Sequence, residues 1–290
     1  MASYKLRNRK TNEIKEIKED KATLFLYRNI FGRLIARFLS LRFISKLGGA
    51  YMNSKLSTKR IPKFIKGNNI NMDEYPEAKY NNFNEFFIRK IDLKKRPIDK
   101  NKDSFISPAD SKLTVYDINE QSEFKIKDSY YKVKDLINND IYKEYLGGQC
   151  LIFRLCVDDY HRYCYIDDGE HDAPVSIKGE FHTVRPIVLE RYNIYKRNHR
   201  VWTKLNTKNF GEIIHIEVGA LMVGKIHNHH PEHKFKKGEE KGYFLFGGST
   251  VVLLVKQNKI TIDKDIMDAS KEDIETTVKF GETIGTKNKV

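Results

Sequence analysis

The chain has 290 residues, of which 40% are hydrophobic and 32% charged, and its formal net charge is +14. That length can bury a large core. The three cysteines, Cys150, Cys156 and Cys164, form no CxxC pair, which excludes a disulfide framework and a structural zinc module. The charge is lopsided: residues 1–66 carry 17 Lys/Arg against 4 Asp/Glu, and residues 67–290 carry 36 against 35. A basic and apolar first quarter points to an anionic surface as partner and says little about the rest.

In chain order, residues 1–21 are charged and without periodicity, which predicts a mobile tail. Lys15, Lys18 and Lys21 break up any secretory signal. From Lys21 to about Leu47, Tyr27, Phe31, Leu34 and Phe38 recur at helical spacing, with Arg33 and Arg37 off that stripe and Gly48-Gly49 as the stop. The helix either lies in a membrane interface or packs its stripe on the core. A second basic run, Lys55 to Lys66, favours an anionic membrane, since each Lys or Arg near such a leaflet contributes about 1 kcal/mol. No nucleic-acid motif accompanies the charge. Residues 1–66 therefore stand apart as a basic segment that tilts toward membrane association, distinct from the near-neutral residues 67–290.

Phe83, Phe86 and Phe87 predict a short aromatic helix, and Ser107-Pro108-Ala109-Asp110 a turn bearing one carboxylate. Beyond it lie short apolar runs over 113–118, 124–126, 149–157, 175–181, 213–218 and 221–226. A helix is expected over 134–145. This pattern predicts an α+β fold, a mainly antiparallel sheet with N-terminal helices. The run Val251–Val255 is far too short to span a membrane. No GxGxxG or phosphate loop is present.

His229-His230-Pro231-Glu232-His233 fits H-x-x-E-H, but Pro231 opposes the helix that pattern needs, so a polar loop and no metal are expected. His161 follows a strand, where a rigid element can aim it. Phe246-Gly247-Gly248-Ser249-Thr250 reads as a glycine turn entering a strand, with a hydroxyl that is structural or, given a base in reach, nucleophilic.

These pieces, in this order, resemble the phosphatidylserine decarboxylase family. They are Phe86-Phe87-Ile88-Arg89 with Arg96-Pro97-Ile98-Asp99, Ser107-Pro108-Ala109-Asp110, Tyr160-His161-Arg162, Val218-Gly219-Ala220, Lys237-Gly238-Glu239, Phe246-Gly247-Gly248-Ser249-Thr250 and Lys279-Phe280-Gly281-Glu282. The resemblance implies a proenzyme that cuts itself between Gly248 and Ser249 into a heterodimer of chains 1–248 and 249–290. Ser249 then becomes a covalent pyruvoyl (pyruvate) group, which decarboxylates phosphatidylserine to phosphatidylethanolamine through a Schiff base. It further implies His161 as the base for self-cleavage, with Asp110 orienting it in the manner of a Ser-His-Asp triad. The family's second histidine in Tyr-His-Arg-x-His is Cys164 here, so His161 serves both steps or His182 assists. The resemblance makes residues 67–290 the catalytic domain and residues 1–66 its membrane-associating segment, and the place it implies is the cytoplasmic face of the cell membrane, peripherally bound; oligomeric state stays open. A lipid-directed serine hydrolase and a non-catalytic membrane-binding homologue are the alternatives.

Overall fold

The computed structural model describes residues 3–39, 41–121, 123–126, 129–184, 186–189, 194–220, 226–247 and 249–288. Runs of alternating branched residues pair into an 11-stranded sheet. Its centre is three antiparallel strands, Gly211–Gly219, Ser249–Val255 and Gln149–Leu155, with Ser249–Val255 in the middle. Both faces of that middle strand are covered: Val251, Leu253 and Val255 join one core, Val252 and Leu254 another. All seven of its residues are buried, which is why it reads as a continuous apolar run. The α+β expectation holds, with one parallel pairing within the sheet.

That pairing overturns the mobile tail. Ser3–Asn8 and Ile14–Lys18 form a hairpin, and Ser3–Asn8 lies parallel to Ile274–Val278. Arg7 pairs with Asp265 at 2.8 Å, and Arg9 with Asp263 at 2.5 Å and Glu282 at 2.8 Å. Part of the N-terminal charge thus answers carboxylates more than 250 residues away, a partnership that a local window cannot reveal.

The N-terminal helical stretch is three helices rather than one: α1 (Lys21–Arg28), α2 (Ile30–Leu39) and α3 (Arg42–Met52). Asn29 breaks the first two apart, its backbone extended and its side chain accepting from the Phe31 N–H at 2.9 Å. Gly48 and Gly49 do not stop α3, which runs on to Met52. Neither does the aromatic stripe pack inward. Tyr27 is buried, but Phe31 is 71% exposed, and Leu34 and Phe38 are also exposed. The inner side of α2 is Gly32 and Ala36; a side chain at Gly32 would sit 1.9 Å from the Phe25 carbonyl oxygen.

The short aromatic helix is present as α4 (Phe83–Phe87), and its rings cluster with Phe64 and Phe246. The helix expected over 134–145 is Val133–Ile137 followed by a 3-10 turn, Asp140–Tyr145, because Asn138 takes a left-handed conformation at φ 48°. The run over 175–181 is strand only at Val175–Ile177. Of the run over 221–226, residues 221–225 lie outside the described residues. No helix among the described residues is long and apolar enough to cross a membrane.

Candidate active site

Ser249 is the first residue of the middle strand, opposite Leu155 on one side and Gly219 on the other. Strand alternation places its side chain on the face of Val251 and Leu253. Its Oγ is buried and has no hydrogen-bond partner among the described residues. A buried hydroxyl left without a partner costs about 1–3 kcal/mol, so it persists where something else requires it. Gly247, two residues before, has φ +142°, a backbone state that disfavours side chains. Gly248, the other half of the expected cleavage site, lies outside the described residues.

His161 lies between the central strand Gln149–Leu155 and the strand Arg162–Cys164. Its backbone carbonyl accepts from the Phe244 N–H at 2.9 Å, which ties it to the approach to the glycine turn. Its ring packs on Phe87 at 4.1 Å between centroids, and Phe87 in turn meets Phe246 at 5.1 Å. Asn84 of the same helix accepts from the Phe246 N–H at 3.3 Å. So α4 braces the histidine and the turn together.

The imidazole has a defined tautomer. Its Nδ1 lies 2.8 Å from the Asp159 backbone carbonyl, which can only accept, so Nδ1 carries the proton. Nε2 is then a bare lone pair, buried and without a partner among the described residues. Burial pushes the imidazole down to about 4, against the pull of the Asp159 carboxylate. At neutral pH His161 is therefore an uncharged base. Asp159 keeps its own charge although burial opposes it, because the Lys112 ammonium sits 2.6 Å away.

Asp110 does not orient His161 in this structure. One oxygen takes Arg96 at 2.5 Å and the Phe280 N–H at 2.7 Å; the other takes Arg96 at 2.9 Å and Lys279 at 3.3 Å. Asp110 thereby fastens the Arg96 segment and the C-terminal Lys279-Phe280 turn together. The expected Asp110 contact is replaced by a backbone carbonyl, to which residue identity gives no clue. Nor are Ser249 Oγ and His161 Nε2 hydrogen-bonded to each other.

Cys164 cannot substitute for a second histidine. It is buried, and burial pushes its thiol far above the ordinary range, so it stays protonated. His182 sits elsewhere, its Nε2 2.7 Å from Glu180 and its ring 6.3 Å from Tyr27. It borders a cavity of about 500 Å³ between α1, α2 and Arg197. Its backbone still reaches the site: Asn198 bonds the His182 backbone and the Gly219 carbonyl, and Gly219 lies opposite Ser249.

One set of charged residues was missed. His215 and Glu217 share the Ser249 face of the adjacent strand, and Lys241 reaches Glu217 at 2.6 Å. All three side chains are buried. Burial opposes the charge of Glu217, but Lys241 and His215 hold its carboxyl below the usual range. Two polar residues alternating with Ile in Ile214-His215-Ile216-Glu217 were the available sign.

Residues 83–286 match the family model described as phosphatidylserine decarboxylase. The chain is 51% identical over 266 residues to the phosphatidylserine decarboxylase proenzyme 2 of Clostridium acetobutylicum, covering 91% of each chain. It is 42% identical to the phosphatidylserine decarboxylase proenzyme of Clostridium kluyveri, over 99% of each. The corresponding proenzyme of Clostridium tetani is 41% identical, over 98% of each.

Proposed function

The chain belongs to the phosphatidylserine decarboxylase family, and from that membership we infer that it is a carboxy-lyase, made as a proenzyme, that converts phosphatidylserine to phosphatidylethanolamine. Self-cleavage falls between Gly248 and Ser249. His161 Nε2 takes the proton from Ser249 Oγ, and the oxygen attacks the Gly248 carbonyl carbon. The peptide C–N bond breaks as the ester forms. Loss of the Ser249 α-proton then expels the Gly248 carboxylate, leaving dehydroalanine, and water replaces its nitrogen as ammonia. The resulting pyruvoyl ketone supplies an electron sink for loss of CO2 from the lipid's serine carboxylate.

The observation that carries this reading is the pair of buried atoms without partners among the described residues, Ser249 Oγ and His161 Nε2, on segments braced by the same aromatic helix. Asp110 acts by holding the Tyr160–Phe280 side of the site, where those two rings meet at 5.5 Å, and not as a bonded relay. His182 has an accessory role through Asn198 and Gly219. Chains 1–248 and 249–290 stay together as a heterodimer.

The outward face of α2 and α3 is the contact with an anionic membrane surface, peripheral and on the cytoplasmic side. It carries Ile30, Phe31, Leu34, Phe38, Phe43 and Leu47, all exposed, among Arg and Lys.

Intact mass spectrometry of the purified protein tests the chemistry. A 249–290 fragment lighter than its serine-terminated form by one ammonia is expected. A single unsplit chain with lipid-directed activity would instead indicate a serine hydrolase, and an unsplit inactive chain a binding homologue.

A further inference from the structure

The histidine-rich loop takes no part in the site around Ser249, yet its side chains converge. As Pro231 dictates, it is a turn and not a helix, joining the strands Ile226–Asn228 and His233–Phe235. His233 opens a strand paired with Gly169–His171 at the sheet edge. Glu239 lies in the turn before Glu240–Phe244, held by backbone bonds to Lys236 and Tyr165. Its Oε2 accepts from the Lys236 N–H at 2.9 Å, and its Oε1 faces His233 Nε2 at 2.5 Å. The His230 ring stacks on His233 at 4.0 Å. One donor atom from each of His230, His233 and Glu239 lies within 4.8 Å of the other two.

We propose that His230, His233 and Glu239 bind one divalent transition-metal ion of the zinc class, with water completing the coordination. Two imidazoles and a carboxylate are a donor set that suits zinc. Tetrahedral bonds of about 2.0–2.1 Å separate neighbouring donors by roughly 3.4 Å, so on binding the His233–Glu239 pair opens from 2.5 Å and the His230 ring turns off its stack on His233 to aim its donor at the same point. The second carboxylate oxygen is already held by a backbone N–H, the support that orients a metal-bound carboxylate. The flanking ammonium groups are turned to other acids, Lys234 toward Glu170 at 3.9 Å and Lys236 toward Asp168 at 3.4 Å. His229 is not a ligand, since its Nε2 is bonded to Glu240 at 2.6 Å. The ligand set therefore differs from the H-x-x-E-H pattern, and the proposal runs against the expectation of no metal in this loop. The ion staples the 229–233 turn to the 236–239 turn, from which Glu240–Phe244 runs directly toward Gly247 and Ser249.

The test uses the full chain, freed of metal with a chelator and titrated with zinc chloride by calorimetry and with cobalt(II) by absorption. One tight equivalent with the bands of tetrahedral cobalt is expected. His230→Ala, at an exposed position that leaves folding undisturbed, and Glu239→Gln should each weaken binding by at least about 10–100-fold. His229→Ala should bind as the unaltered chain does. The proposal is overturned if no tight equivalent binds, or if His230→Ala and Glu239→Gln bind zinc as well as the unaltered chain. In that case His233 and Glu239 form an ion pair and nothing more.

Discussion

Helix α2 and the strand Ser249–Val255 are both strongly apolar, and the molecule uses them in opposite ways. The strand hides every residue, with Val and Leu on both faces of a central position. The helix turns its small residues, Gly32 and Ala36, inward and leaves Phe31, Leu34 and Phe38 in the open. Hydrophobicity alone does not predict burial; position in the sheet decides one case and the absence of inward-facing bulk decides the other. The first region is suited to chemistry away from water, the second to a surface that is itself apolar.

The strand side of this contrast is broken most completely by Ser249→Ala. The chain should then stay uncut on a denaturing gel, with no decarboxylation. His161→Ala should slow self-cleavage about 10²–10⁴-fold, the usual contribution of a positioned base, as followed by the appearance of the short chain. The acid limb of self-cleavage sharpens the point. Because burial lowers His161 to about 4, the base is lost only as pH falls through that value, and the rate should hold across pH 6.5. A limb near 6.5 would mean that His161 is solvated or is not the base.

Glu217→Gln should destabilise the fold by roughly 3–5 kcal/mol in urea unfolding, because it strands the Lys241 ammonium in the core. Equal stability would show that water reaches the pair. The helix side is tested by Phe31→Ser combined with Phe43→Ser. Binding to anionic vesicles should weaken about a hundredfold or more, each buried ring being worth about 1.5–3 kcal/mol, while self-cleavage goes to completion. Deleting residues 1–66 is the poorer experiment, since it also strips Ser3–Asn8 from the sheet and Arg9 from its carboxylates.

Local pattern carried much of the architecture into view. The aromatic helix at Phe83–Phe87, the strands around residues 113, 149 and 213, and the special turn before Ser249 all follow from periodicity and glycine placement. What escaped depends on partners far off in sequence or on backbone atoms. Ser3–Asn8 is a strand only because Ile274–Val278 lies beside it. His161 looked as though it needed a carboxylate, but the Asp159 carbonyl serves, and Arg96 had already claimed Asp110. Both outcomes turn on which donor reaches which oxygen first, and no motif spells that out.

The weaving of the C-terminal segment into the sheet has a consequence for a chain cut before Ser249. Ser249–Val255 is clasped between Gly211–Gly219 and Gln149–Leu155, and Ile274–Val278 between Ser111–Asp117 and Ser3–Asn8. Two separate strands of the short piece are thus laced between strands of the long one. Scission there would break one peptide bond while leaving these ladders in place, so the halves would come apart only when the sheet is unpicked.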